Sequence, residues 1–94
     1  MLTWNVTYHC KSGQREAFYQ ALCDLGIRAN SLKEEGNRKY DYFRGAEAPE
    51  DLLLVESWTT PELQQAHCQT EIFGRLQELK AQYCDSVQID KFDH

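Results

Sequence analysis

The chain has 94 residues, of which 41% are hydrophobic, 12% aromatic and 27% charged; this is enough apolar surface for one small core, so we expect a single domain over residues 1–94. Ten Lys and Arg against fifteen Asp and Glu give a net charge of −5, which argues against a nucleic-acid partner because such proteins carry a basic surface. The longest apolar run, 52–55, is far shorter than the roughly 20 residues of a membrane span, so we expect no membrane partner.

The N-terminus and the cysteines bear on the cellular compartment. Residues 1–5 show no basic segment followed by an apolar one, so no secretory signal is indicated. The four cysteines, Cys10, Cys23, Cys68 and Cys84, have neither C-x-x-C spacing nor a His three or four residues away, which makes zinc a weak interpretation. We therefore expect a cytoplasmic protein with free thiols and no metal or cofactor, two disulfides being the alternative if it were secreted.

The first half of the chain predicts a strand and then a helix. Residues 3–10 alternate, with Trp4, Val6 and Tyr8 on one face and Asn5 and Thr7 on the other, which is typical of a strand. From 14 to about 35, apolar residues recur every three or four positions and predict one helix. Gly26 weakens the centre of this helix, so we expect that it can kink there.

The second half predicts two strands, a helix and a closing strand. Residues 39–44 form the second strand, 45–50 a polar loop and 52–59 the third strand, which is apolar on both faces and therefore expected to be covered on both. Thr59 with Glu62 fits a capping box, and Pro61 suits the first turn of a helix. Helical spacing then continues to residue 83, and 86–92 read as a fourth strand.

The element order is β-α-β-β-α-β, which predicts an α+β, ferredoxin-like fold: an antiparallel sheet with both helices on one face. The opposite face would then carry Leu53 and Val55 without cover. Because such an apolar face is costly to expose, we expect a second copy to pack on it, giving a homodimer with facing sheets.

The residues most suggestive of chemistry are Glu56, Trp58 and His67. Glu56 and Trp58 share a strand face, and His67 lies on the apolar stripe of the following helix, so the indole and imidazole can meet under the sheet. Each also has an ordinary interpretation: a half-buried histidine, a core tryptophan, and a carboxylate in an ion pair or at a dimer interface. Tyr42, beside Tyr40 on the second strand, can supply a hydroxyl or serve as an interface aromatic.

The segment 53–63 is an apolar strand that ends in Glu56-x-Trp58 and runs into a helix start, and His67 follows eleven residues after Glu56. Its order and spacing resemble the antibiotic biosynthesis monooxygenase (ABM) family, which includes quinol monooxygenases, and the resemblance covers the whole chain. It implies a dimeric α+β barrel with a small-molecule substrate. Family members include cofactor-independent oxygenases acting on quinols or polycyclic aromatics, haem-degrading enzymes, and isomerases of phosphorylated autoinducer-2 products.

The chain departs from the family pattern in one place: Ile72 stands where members often carry a second histidine, which weakens any mechanism that needs two. Haem-degrading members use an Asn, a Trp and a His, and Asn5 does not match that Asn securely. Haem is therefore a minor hypothesis.

Three functions remain open from the sequence. The first is a metal- and flavin-free monooxygenase for an electron-rich phenol or quinol, in which Trp58 forms a wall with an orienting N–H and His67 transfers a proton or stabilises an anion. The expected substrate-binding residues are Tyr42, Asn5, Glu56 and Phe73. The second function is an isomerase of the autoinducer-2-processing type on the same fold. The third is a non-enzymatic dimeric module, favoured if no cavity of roughly 300 Å³ lies beside Trp58.

Overall fold

Four strands and four helices form in the computed structural model, which describes all residues from 1 to 94. In chain order they are β1 (Leu2–Cys10), α1 (Arg15–Leu25), α2 (Ile27–Leu32), β2 (Asn37–Arg44), β3 (Asp51–Trp58), α3 (Pro61–His67), α4 (Glu71–Tyr83) and β4 (Cys84–Asp93). Every predicted strand is present, with its ends within two residues of the predicted ones. None of the helices is both long and apolar enough to cross a membrane.

The strands form one antiparallel sheet in the order β2-β3-β1-β4. In the register of the central pair, Val6 lies opposite Leu54 and Tyr8 opposite Leu52. Directly opposed residues of an antiparallel pair point to the same side of the sheet, so the two apolar sets build one surface. This is the ferredoxin-like α+β fold that the sequence predicts.

The predicted helix over 14–35 is in fact two helices, because the chain breaks at Gly26. Its φ of 77° is left-handed, and its N–H bonds to the carbonyls of Leu22 and Cys23, which ends α1. The next helix starts immediately afterwards, at Ile27. Glycine adopts this conformation without the Cβ clash that other residues meet, so a full break is possible where we expected a kink.

The predicted helix that begins at residues 59–62 is also divided, into α3 and α4. The cap of α3 is Thr60 rather than Thr59: its Oγ1 accepts a hydrogen bond from the Leu63 N–H at 3.2 Å, so the expected capping box is wrong. A second cap starts α4, where the Thr70 Oγ1 accepts from the Phe73 N–H at 3.3 Å. Both threonines satisfy N–H groups that would otherwise lack partners at a helix start.

All four helices lie against one face of the sheet, and the core forms there. Phe18 of α1 is fully buried and meets the Tyr8 ring edge-on at 5.2 Å between centroids. On the opposite face no helix covers the strands. Leu53 and Val55 are only partly buried there, and Phe43 and Phe92 are 46% and 50% exposed. The sheet therefore has a covered face and an open face.

Candidate functional site

The C-terminal end of β3 points two polar groups into the covered face. Glu56 and Trp58 are two residues apart and so share a side of the strand, and they are 6% and 0% exposed. The indole N–H of Trp58 donates a hydrogen bond of 2.8 Å to Oε1 of Glu56. The carboxylate thus has the partner that a buried acidic group requires.

His67 ends α3 and packs on the indole. Its side chain is 1% exposed, and its ring centroid lies 4.9 Å from that of Trp58. Phe73 and Tyr40 meet the same imidazole edge-on, at 5.3 and 5.8 Å. The structure therefore brings together four side chains that the sequence analysis discussed, with His67 in the middle.

The imidazole has a charged partner that the sequence analysis missed. Nδ1 of His67 lies 2.6 Å from Oε1 of Glu34. Since a carboxylate accepts, Nδ1 carries the proton and donates. The turn after α2 can come this close because Gly36 has no side chain: a Cβ there would lie 2.8 Å from Thr59 Oγ1. No local pattern could have revealed a pair separated by 33 residues.

A small cavity of about 50 Å³ lies between the sheet and the helices α3 and α4. Glu56 and Phe73 are among its eleven lining residues, whereas Trp58 and His67 are not. The other lining residues with polar side-chain atoms are Trp4, Tyr8, Tyr40, Gln64, Cys68 and Lys80. Among the three polar candidates, only the carboxylate of Glu56 is therefore placed to touch a ligand in the cavity. The indole of Trp58 and the imidazole of His67 lie behind it and do not line the cavity.

The size of the cavity bears on the three functions. Small-molecule pockets typically measure about 300–1,000 Å³, so 50 Å³ accommodates a water or two but no aromatic ring. Taken alone, this volume favours the non-enzymatic module. Two of the lining side chains reach the surface, however: Ile89 is 44% exposed and Lys80 is half-buried. An aromatic ring therefore fits only in a conformation in which these two side chains have moved outward.

Burial shifts the acid–base properties of the lining groups. It raises the pKa of Glu56, although the Trp58 N–H and the nearby His67 and Lys80 oppose the rise. Burial lowers the pKa of Lys80 and raises the pKa of the Tyr40 phenol far above its ordinary value. The pKa values of Glu56 and Lys80 thus move toward neutrality, as is typical of proton-transfer sites, whereas Tyr40 stays a neutral hydroxyl.

Several buried polar atoms near the cavity lack any hydrogen-bond partner. They include Trp4 Nε1 and the Tyr40 hydroxyl, whose residues line the cavity, and Nε2 of His67. The Tyr42 hydroxyl is also unpaired, but Tyr42 packs against Tyr40 and does not line the cavity. Because unpaired buried polar groups are costly, each of these atoms needs a hydrogen-bond partner that a water molecule or a ligand can supply.

Asn5, predicted to bind substrate, lies elsewhere. It is opposite Val55 in the β1–β3 pair, so it sits on the open face of the sheet, away from the other candidates. The four cysteines are free, and Cys68 alone among them lines the cavity. No group of three or more His, Cys, Asp and Glu side chains is arranged to hold a metal ion.

Lys80 is the lining residue that sequence reasoning should have found. It follows Phe73 and Leu76 by seven and four positions, so it continues the apolar stripe of α4. A lysine in such a stripe either extends its charge to water or faces a polar pocket. Trp4 and Gln64 carry no comparable signal, because an indole or an amide in a core stripe is ordinary.

Comparison with known proteins agrees with this architecture. A solved structure from Nitrosomonas europaea, suggested by its name to be an antibiotic biosynthesis monooxygenase, is 22% identical to this chain and superposes on it with a TM-score of 0.90. The match covers 100% of this chain and 98% of the other. At that identity the likeness shows the fold alone. A Bacteroides thetaiotaomicron protein of unknown function, suggested to be an oxidoreductase, is 27% identical over 99% and 96% of the two chains, with a TM-score of 0.86.

A Pseudomonas aeruginosa structure is 26% identical over 99% of this chain and 92% of its own, with a TM-score of 0.87. No curated protein matches the chain. The model of one family, described as antibiotic biosynthesis monooxygenase, matches residues 1–79. Since that is well over half of the sequence, the chain belongs to the antibiotic biosynthesis monooxygenase family.

Proposed function

We propose that this protein is a monooxygenase that needs no metal or flavin and acts on a quinol or another electron-rich aromatic hydroxyl compound. The observation that carries the proposal is the composition of the cavity wall. A buried carboxylate with a raised pKa, Glu56, lines the same hollow as two aromatic residues with unpaired donors, Trp4 and Tyr40. Such a wall suits a planar ring that carries hydroxyl groups.

In the proposed reaction, Glu56 takes a proton from a ring hydroxyl. The electron-rich anion left behind reacts directly with dioxygen: one oxygen atom enters the ring, the other leaves as water, and the ring supplies all the electrons that dioxygen takes up. The protein's task is to remove the proton, exclude water and stabilise the oxyanion with fixed donors. Phe73 supplies an apolar wall for the ring.

Trp58 and His67, expected from the sequence to be catalytic, act in this proposal through Glu56. The Trp58 N–H holds one carboxylate oxygen at 2.8 Å, and His67 packs against the indole while Glu34 anchors its other side. They are therefore positioning residues of the carboxylate. Tyr42 supports Tyr40, and Asn5 plays no part in the cavity.

The test is oxygen uptake with a panel of quinols. We expect Glu56→Gln to abolish uptake, because the amide keeps the hydrogen bond from Trp58 but cannot take a proton. Glu78→Gln, an identical change at an exposed position of α4, should leave it unaffected. Uptake that persists in Glu56→Gln rules out the carboxylate as base, and an inactive wild-type protein across the panel rules out the oxygenase.

A second candidate function is an isomerase of a phosphorylated keto-sugar. Glu56 and Lys80 line one cavity, where in this reaction the carboxylate acts as the base and the ammonium group as the acid that move a proton between neighbouring carbons. Loss of a carbon-bound proton signal to deuterated solvent, followed by NMR without oxygen uptake, distinguishes this reaction from the first.

The assembly expected from the sequence is a further part of the proposal. The open face carries Leu53 and Val55 along its centre and Phe43 and Phe92 toward its edges, and we propose that the same face of a second copy covers it. Sedimentation at micromolar concentration should give twice the chain mass. A Val55→Asp variant should sediment as a folded monomer, and a monomeric wild-type protein would overturn the dimer.

A further inference from the structure

The cavity contains one basic side chain, which no ion pair holds in place. Lys80 lies near the end of α4, on the stripe that Phe73 and Leu76 continue toward the sheet, and it lines the cavity together with Glu56. It is also one residue beyond the part of the chain that matches the family model. The family match therefore says nothing about Lys80, and its position in the cavity is known only from the structure of this chain.

Lys80 is half-buried yet unpaired. No carboxylate oxygen lies within 4 Å of its ammonium group, and it donates no hydrogen bond to another side chain, whereas Arg75 on the same helix does have an acidic neighbour in Glu71. Burial lowers the pKa of Lys80, and the nearby groups that oppose this are the thiols of Cys84 and Cys68 and the carboxyl of Glu56. Because burial raises the pKa of both thiols, Glu56 is the only one of the three that is an ordinary anion. A lysine that only covered apolar surface would extend its charge fully into water.

We infer that Lys80 is the residue that binds the ionised hydroxyl oxygen of the substrate, so that the site selects acidic phenols and binds them as phenolates. This inference rests on the proposed function, because it names the ion that the oxygenase would form. It adds a second substrate-contacting residue to Glu56 and narrows the substrate class to rings whose hydroxyl gives up its proton readily.

The balance of charge in the cavity supports this assignment. Before reaction the cavity walls hold one negative group, Glu56, and one positive group, Lys80. When the substrate O–H bond breaks, its proton forms an O–H bond on Glu56 and the electron pair stays on the substrate oxygen. The negative charge has moved from carboxylate to phenolate, Lys80 remains its counter-ion, and no net charge is added to a poorly solvated space.

The probe for this inference is 4-nitrophenol, because its phenolate absorbs visible light and its neutral form does not. At a pH below the probe's own pKa, the folded wild-type protein should convert bound probe to the absorbing phenolate. Lys80→Met should weaken phenolate binding by roughly tenfold to a hundredfold, the range of a hydrogen bond to a charged group. Lys80→Arg should restore it, since arginine keeps the charge.

Two controls isolate the charge at this position. Lys11→Met makes the same change on an exposed turn and should not alter the titration. The neutral analogue 4-nitroanisole has the same ring without an ionisable hydroxyl, so wild type and Lys80→Met should bind it equally. Circular dichroism verifies that each variant is folded, and Lys80→Gln serves as the polar neutral replacement if the methionine variant is not.

The outcomes separate the inference from the proposed function. An unchanged phenolate signal in both neutral variants, or no signal from the wild-type protein at millimolar probe, overturns the role of Lys80. A Lys80-dependent phenolate signal in a protein that consumes no oxygen with any quinol supports the binding site and rejects the oxygenase alone.

Discussion

The two faces of the sheet differ in how completely their polar groups are paired. On the open face, the hydroxyls of Thr3 and Ser57 meet at 2.8 Å, and Nδ1 of His9 lies 2.7 Å from an Asp51 oxygen. On the covered face, Trp4 Nε1 and the Tyr40 hydroxyl are buried without partners. The unpaired polar atoms thus lie on the face that the helices cover, and not on the open face.

This difference indicates that the two faces of the sheet have separate roles, one in ligand binding and one as a protein surface. Alternate residues of β1 and β3 point to opposite sides, so a substitution on one side leaves the other side's contacts in place. Unpaired donors beside a buried carboxylate suit a ligand. Paired polar groups among the partly buried Leu53 and Val55 and the exposed Phe43 suit a protein surface. Four substitutions test this division.

The largest effect is expected from Trp58→Ala on the covered face. The indole is fully buried and holds Glu56, so its removal leaves both a cavity and a carboxylate without its donor. We expect a loss of about 3–5 kcal/mol in the free energy of unfolding, measured with urea. Val55→Ala on the open face of the same strand should cost only about 1 kcal/mol; equal losses would contradict the division.

The next effect concerns the partner of the imidazole. Glu34→Ala leaves the Nδ1–H of His67 without an acceptor in a buried position. We expect the protein to lose about 1–3 kcal/mol, the cost of stranding a buried donor. Its neighbour Glu35 is exposed and serves as the matched control, because Glu35→Ala should be close to neutral. An equal response of the two variants would show that the pair contributes nothing.

A smaller effect, of opposite sign, is expected from Glu56→Gln. Burial raises the pKa of Glu56 above the ordinary value of 4.5. In the wild-type protein, the stability that the neutral carboxyl contributes is fully present below the unfolded-state pKa and is lost as pH rises through the folded-state pKa. The glutamine variant has no such loss, so at pH 7 it should be more stable, by on the order of 1 kcal/mol.

This advantage should shrink as the pH falls through the raised pKa of Glu56, and it should be gone below the ordinary value of 4.5, where the carboxyl of the wild-type protein is neutral in both states. Thermal melts of both proteins from pH 3 to 8 measure it. A glutamine variant that is less stable at pH 7 would mean that the Trp58 N–H and Lys80 outweigh the burial of the charge.

The smallest effect is expected from Ser57→Ala. It removes the contact with the Thr3 hydroxyl on the open face, and one hydrogen bond between neutral, partly buried hydroxyls should contribute about 0.5 kcal/mol. A loss that is clearly larger, and that falls when the protein is diluted, would indicate that a second copy covers this face, as we propose.

Much of this architecture could be predicted because it depends on local patterns. Alternation marked β1, and a short run that is apolar on both faces marked β3; the common side of Glu56 and Trp58 followed from their separation of two residues. The two helix breaks were harder to predict from the sequence. Gly26 is equally compatible with a kinked helix. Thr70 fits a continuous helical pattern, and only the structure shows that its hydroxyl caps the next helix.

The amino-acid sequence by itself determined the β-α-β-β-α-β order and the common strand face of Glu56 and Trp58, because both follow from side-chain period and short separations along the chain. Only the tertiary structure decided that Glu34 anchors His67, that Asn5 lies on the open face away from the candidate cavity, and that Lys80 rather than His67 shares the cavity with Glu56. These facts depend on how segments far apart in the sequence pack together, and local sequence patterns do not specify such contacts.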